Sequence, residues 1–407
     1  MAKPKLALIP AAQGSKFYSV LPSSGVGDFD FARSGGATRI NKDGLIETVA
    51  SGVSRLNYPL IDGKVVGCPS HLLEPQKINQ LQRSQEFSNS YWINNGVTIT
   101  ENNEISPDGT LNADLLTGVS GGFGLVRFST WTVTNKVASC FAKKGSSNIF
   151  KIANVSSSNR YVLFDLNNGT VYEQSTGWTG SIEDYGNGWY RCTAISNNET
   201  GTFSLGVTAA SESVYIWGAQ LESDYLTSYI PTTTSAATRS AETADNSGDA
   251  STFNDSEGVF MVELLWTATS SNIYISIDDG TSSNRILIYS TSTDDIKALV
   301  SSGGSTQAAF TATNQDPTTF SKVAIKYKEN DFALWINGIK LLTDTVGSTP
   351  IGLNTLGFRA AGGTNPLHGS AKQIQYFDSA LNDSDLEKLT SWTSFTDMAN
   401  GQQYSIK

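Results

Sequence analysis

Turn residues cut this chain into short apolar pieces from end to end, and that punctuation limits the fold more than any other feature. The clearest case is FALWI, then Asn337-Gly338, then IKLLTD. Asn and Gly both accept the positive φ that a primed two-residue turn requires, so the pair predicts a hairpin. Asn167-Asn168-Gly169 and Asp278-Asp279-Gly280 are further turn signals. Between such breaks apolar residues alternate with polar ones, as in Val133 to Lys143, Arg160 to Leu166, Trp189 to Ile195 and Val214 to Leu221. Many short alternating runs predict an all-β chain of antiparallel sandwiches or jelly rolls. Charged residues are only 16% of the chain, a balance that disfavours helical bundles.

The stretch Trp217 to Arg239, WGAQLESDYLTSYIPTTTSAATR, marks the main boundary. It begins as the end of a strand, turns polar, and meets Pro231, which bars a helix. The Thr/Ser/Ala run beyond has too little apolar surface to fold alone. The expected division is therefore an N-terminal segment 1–78, a first sandwich 79–230, a polar flexible linker 231–257, a second sandwich 258–392 and a tail 393–407. Residues 1–78 carry Phe17, Tyr18, Phe29, Phe31 and Tyr58 among Gly, Pro and Ser with no helical period or obvious hairpin. An extended segment that lies against another body is expected there. Near the other end, GSAKQIQYFDSALNDSDLEKLTSW reads as a strand followed by a helix capped by Asn382, with Leu381, Leu386 and Leu389 facing the sandwich.

A formal charge of −10 argues against a nucleic-acid partner, because phosphate neutralisation needs clustered Lys and Arg. No apolar run approaches the ~20 residues of a membrane helix, and MAKPKLALIPAAQG lacks the apolar centre of a signal peptide, so a soluble product is expected. Cys140 and Cys192 alternate with polar neighbours as small buried residues do, and Cys68 has no partner in any pairing of the other two.

The phrases carry resemblances as well. GDFDFARSGGATRINKDGLIE, SRLNYPL, LLEPQKIN and then GAQLE…TSYIPT…TR resemble the leader and connector of tailed-bacteriophage fibre and decoration proteins. YGNGWYRC resembles the late strand of jelly-roll carbohydrate-binding modules, and INGIKL followed by QIQYFDSALNDSDLEKLT resembles laminin G-like, concanavalin A-like domains. These resemblances imply two jelly-roll sandwiches in tandem behind an attachment segment. They imply a structural virion protein (head fibre, capsid decoration or tail fibre) made in the host cytoplasm and displayed on the virion surface. Its implied partners are capsid, portal or tail proteins, further copies of itself as a trimer, and a host-surface glycan. Phe17, Tyr18, Phe29, Phe31 and Tyr58 are then the candidate attachment residues. A free bacterial lectin or adhesin is the alternative, and a glycoside hydrolase the third.

Catalysis finds little footing. Gly118 to Gly122 matches G-x-S-x-G, but the strand-like FGLVRF that follows fits a Gly-rich turn and not a nucleophile elbow. A retaining glycosidase needs two carboxylates ~5–5.5 Å apart, as alternate strand positions supply. Glu222 and Asp224 lack the closing acid of that pattern, and Glu263 stands alone between Val262 and Leu264. No enzyme is expected. Aromatic faces remain for sugar binding: Trp178 in STGWTGS, with Tyr172 and Tyr185, is the candidate ligand platform, against a competing role in loop packing. Asp278 and Asp279 are candidate Ca²⁺ ligands, against a competing role as turn formers, and no other cofactor is expected.

Overall fold

Antiparallel strands, most of them in two sandwiches, are the dominant regular structure of the computed structural model, which describes residues 2–119, 124–127, 135–154, 160–197, 201–267, 273–291 and 294–392. The serine of the G-x-S-x-G match and the 393–407 tail lie outside the described residues.

The first sandwich pairs two six-stranded antiparallel sheets. One has the spatial order Ile93–Asn95, Gly124–Arg127, Phe203–Gly206, Ile149–Asn154, Arg160–Asp165, Thr170–Gln174. The other has the order Val97–Ile105, Leu111–Gly118, Ser213–Ser223, Asn135–Lys144, Trp189–Asn197, Trp178–Gly186. Successive strand side chains point to opposite faces, so the alternation seen in sequence sends Leu116, Phe150, Phe164 and Ile216 into one core. Cys140 and Cys192 sit opposite each other on adjacent strands, unbridged and buried in that core.

The second sandwich sets the five strands Ser305–Thr313, Asp295–Ser302, Arg285–Ser290, Ile273–Asp278 and Thr355–Gly357 against the middle of an eleven-stranded sheet. Phe260, Val262 and Ile374 from the large sheet meet Ile286, Ile288 and Ile296 from the small one in a shared core. Asn337 and Gly338 have φ of 49° and 85°, the primed turn that their sequence demands. On the outer face, helix Asp383–Ser391 is capped by Asn382, which accepts from the Asp385 amide, and its Leu386 and Leu389 cover Val259 and Trp335.

Two expectations about connectivity are corrected. Residues 1–78 are not an extended segment. Strand Leu6–Gln13 inserts beside Gly369–Phe377, with Leu6 opposite Tyr376 and Leu8 opposite Ile374, and Lys16–Leu21 and Phe29–Ala32 extend the same sheet. Phe17, Phe29 and Phe31 are buried in the second sandwich's core, where Phe17 stacks on His71 at 3.9 Å. They are core residues and cannot serve as free attachment side chains. Only Tyr18, 40% exposed, and the half-buried Tyr58 reach the surface. Residues 231–257 are not a flexible linker either. Ala237–Arg239 pairs with Lys77–Asn79, Thr243–Asp245 pairs with Phe29–Ala32, and Ala244 and Phe253 join the core. The physical reason is the same in both cases: alternation is visible locally, but the partner strand lies hundreds of residues away. The first sandwich is thus an insertion in a discontinuous second one.

The chain crosses between the two bodies at that short pairing of 77–79 with 237–239, and a buried ionic cluster surrounds the crossing. Glu242 accepts from Arg33 Nη1 at 2.7 Å, from Arg55 Nε at 2.8 Å and Nη2, and from the Glu74 amide at 2.9 Å. Glu74 faces Arg55 at 2.8 Å and Arg239 at 2.9 Å and takes two bonds from Ser228. Further donors go to carbonyls, Arg33 to Ala50, Arg55 to Thr38 and Arg239 to Pro75, while the Arg239 Nε finds no partner among the described residues.

Breaking a buried pair by removing one partner strands the others without solvent, at a cost of about 3–5 kcal/mol. Glu242→Ala should therefore lower the unfolding free energy of the second sandwich by that amount, measured by urea denaturation followed through tryptophan fluorescence. A loss under about 1 kcal/mol, the level of a surface pair, would contradict the burial of the cluster. Deleting residues 1–60 removes a strand from mid-sheet together with Arg33 and Arg55. We expect the second sandwich to become protease-sensitive and to lose its cooperative melt; a resistant, cooperatively melting second sandwich would contradict the insertion.

Candidate functional site

A half-open recess of about 330 Å³ lies where the two sandwiches meet. Its first wall is the outer face of the jelly roll. The hairpin through Gly186-Asn187-Gly188 places strand Trp178–Gly186 against Trp189–Asn197 so that Glu183 stands directly opposite Arg191. Opposite charges across a strand pair attract, and alternation puts Tyr185 on the same face as Glu183. Thr38, Arg39 and Ile40 with Asn57 form the second wall, Leu72, Leu265, Thr267 and Ser370 the third, and the loop Leu226–Tyr229 the floor.

The polar groups here are unequally satisfied. Arg191 is buried; its Nη1 donates to Thr227 O at 2.9 Å, its Nη2 lies 3.4 Å from Ser139 Oγ, and its Nε has no partner. The guanidinium also packs over Phe141 at 5.3 Å, while Tyr185 meets Phe141 edge-on at 4.9 Å. Glu183 is an exposed side chain that opens onto the recess; the protein around it directs its pKa upward through lost solvation, and Arg191 offsets this only in part. Its carboxylate makes no hydrogen bond among the described residues. Asn57 accepts from the Ile40 amide with its Oδ1 at 2.8 Å, and its Nδ2 has no partner among the described residues. Arg39 is held by Glu47.

The sequence-derived platform does not assemble. Trp178 is a core residue, 4% exposed, packed with Val162 and Ile182. Trp178 and Tyr185 stand at opposite ends of one strand, about 23 Å apart at the usual rise per residue. Tyr172 is 64% exposed on the edge strand Thr170–Gln174, away from both. Of the three, Tyr185 alone lines the recess. Turn residues around Trp178 suggested exposure, yet its strand begins within them and the ring points inward.

Asp278 and Asp279 do not form an open Ca²⁺ site. Asp278 is buried and bonded to Ser276, the Gly280 amide and Arg359 at 2.9 Å. Asp279 closes its own turn through Thr281 and Asn284. No group of three or more His, Cys, Asp or Glu suited to a metal occurs among the described residues. Glu263 is taken by Gln373 at 2.6 Å and Lys322 at 3.5 Å, and Glu222 by Gln220 and Thr227. Glu183 and Arg191 were within reach of sequence reasoning, since EDYGNGWYR places them opposite each other across its hairpin. Asn57 carried no such signal.

No protein-family model and no curated protein matches the chain. Several solved structures resemble part of it. The Ruminococcus gnavus intramolecular trans-sialidase carbohydrate-binding module CBM40, bound to α2,3-sialyllactose, matches with a TM-score of 0.31 and 17% identity over 35% of this chain and 92% of its own. The leech intramolecular trans-sialidase complexed with 2,7-anhydro-Neu5Ac matches with a TM-score of 0.30 and 19% identity, over 35% of this chain and 24% of its own. A SAP-like pentraxin from Limulus polyphemus matches with a TM-score of 0.28 and 14% identity, over 34% and 71%.

One carboxylate at the floor of the recess titrates in a useful direction. Burial alone would raise the Glu74 pKa, but Arg239 and Arg55, with two Ser228 bonds, overcome it and hold it at about 2, against 4.5 when unpaired. A depressed folded pKa means its contribution is fully present above 4.5 and is lost as pH falls toward 2. Stability of the wild type measured by urea unfolding should therefore drop across that window more steeply than that of Glu74→Gln. Parallel pH profiles for the two proteins would contradict the assignment.

Proposed function

We propose that this chain is a non-catalytic structural protein of a tailed-bacteriophage particle, a head fibre, capsid decoration or tail fibre, that binds host-surface glycan in the recess between its sandwiches. The observation that carries the glycan half is the recess itself. It offers a free carboxylate, a free amide and a tyrosine above aliphatic walls, within the roughly 300–1,000 Å³ typical of ligand sites. Sugars need that mixture, because their C–H faces lie on apolar or aromatic surface while fixed polar groups take their hydroxyls.

The particle half is supported by the resemblance of residues 27–79 and 217–239 to phage fibre proteins. Attachment then falls to the exposed Tyr18 and Ile61 of the N-terminal part, with the half-buried Tyr58 between them in sequence. A trimer suits this role, since joining weak sites can raise apparent affinity by ~10²–10⁴ without new contacts.

Absence of catalysis is supported by the carboxylates. The Glu183 pKa is directed upward, but the other carboxylate lining the recess, Glu74, is locked between two arginines and cannot act as nucleophile or base.

Electron cryo-microscopy of intact particles tests the reading, with density for both sandwiches expected on the particle surface. Incubation with host cell-wall or capsular polysaccharide should release no reducing ends. Depolymerisation that Glu183→Gln abolishes would overturn the non-catalytic reading. A chain absent from particles but bound to cells would favour the lectin.

A further inference from the structure

The recess also discriminates by charge, an inference that rests on the glycan half of the proposed function. Its cations are engaged: Arg39 with Glu47, and the terminal nitrogens of Arg191 with Thr227 and Ser139. The Glu183 carboxylate, by contrast, has no hydrogen-bond partner among the described residues, and the cross-strand pair of Glu183 with Arg191 is neutral overall. An entering anion would therefore find no open cation, Arg191 being buried and Arg39 paired, and it would meet an exposed carboxylate that no cation bonds. Like charges brought together in one recess repel. A neutral hydroxylated ring meets what each free group lacks. Its hydroxyls donate to Glu183, and its oxygens accept from Asn57 Nδ2, which has no partner among the described residues.

We propose that the recess selects a neutral sugar, hexose or N-acetylhexosamine, over a sialylated or otherwise acidic one, with Glu183 accepting from two adjacent ring hydroxyls as the residue that sets this preference. A carboxylate accepts such bonds with charge assistance, and they are about twice as strong as neutral ones.

The test uses the full chain with glucose, galactose, N-acetylglucosamine and sialyllactose as probes, followed by calorimetry or ligand-observed NMR. At least one neutral sugar should bind, and more tightly than sialyllactose. Glu183→Gln should weaken neutral binding by about 10-fold, the loss of one charge-assisted contact, and narrow the gap to sialyllactose. Leu226→Trp, which fills the recess from its half-buried floor, should abolish binding without touching Glu183. Tyr172→Ala should change nothing. Tighter binding of sialyllactose, or neutral binding that survives both recess substitutions, overturns this proposal while leaving glycan recognition intact. No binding of any probe at millimolar concentration overturns both.

Discussion

Two buried carboxylates, Glu74 and Glu242, hold three buried guanidiniums, Arg33, Arg55 and Arg239, at the point where the chain passes between its sandwiches. Burying charge is expensive, and well-packed apolar residues in such positions are often at least as stabilising. What the cluster gives is register. Its members come from the N-terminal strands, from the segment entering the jelly roll and from the segment leaving it, and Ser228 adds the loop beneath the recess. Each charge is satisfied only when all of these segments arrive together. Any misplacement leaves a charge without water or partner, so the alternatives are penalised more than the native arrangement is rewarded.

That rigidity explains why a recess can exist at the junction. Two domains joined by a pair of strand crossings would ordinarily reorient, and a site between them would open and close with the motion. Here Glu74 belongs to the cluster and also lines the recess, while Thr227 binds both Arg239 and Arg191. The wall carrying Glu183 is thereby tied to the wall carrying Asn57. A backbone contact reinforces the link: a side chain at Gly63 would fall 2.3 Å from the Gly186 Cα, so the turn after Ile61 lies directly on the end of the Glu183 strand. Preorganisation of this kind is what lets a small, mostly open site hold a weak ligand at all.

What was legible in the sequence follows from the range of the interactions. The Asn337-Gly338 hairpin, the Asn382 cap and the alternation of Asn135–Lys144 depend on neighbours a few residues away, and they came out as expected. Leu6 and Leu8, or Phe29 and Phe31, show the same alternation, but nothing local says that the Leu6–Gln13 strand closes a sheet against Gly369–Phe377. The stretch from 231 looked solvated because its Thr, Ser and Ala run offers too little apolar surface to fold alone, yet it carries Arg239 and Glu242 into the interior. Their burial depends on Arg55 and Glu74, which lie far away in sequence. The site divides the same way. Glu183 and Arg191 are local hairpin partners, whereas Asn57 and Leu265 reach the recess only through the tertiary fold.

The insertion also changes the energetics of the sandwich that contains it. Ring closure by a flexible loop of some 150 residues costs about 4 kcal/mol in chain entropy. The contacts of Glu74 with Arg239, and of Arg55 with Glu242, would each have to overcome that cost if residues 79–230 were unstructured. A folded jelly roll removes it. Its strand Ser213–Ser223 runs beside the entering chain, where the Gln80 amide donates to Leu221 O at 2.9 Å and Asn79 bonds Ala219, Leu221 and Ile230. The two ends of the insertion are therefore held side by side before any ion pair across the neck is made. The pairing of Lys77–Asn79 with Ala237–Arg239 then extends a junction that already exists. The jelly roll is in this sense the clasp of the second sandwich as well as the wall that carries Glu183, so the binding surface and the stability of the neck depend on the same folded insertion.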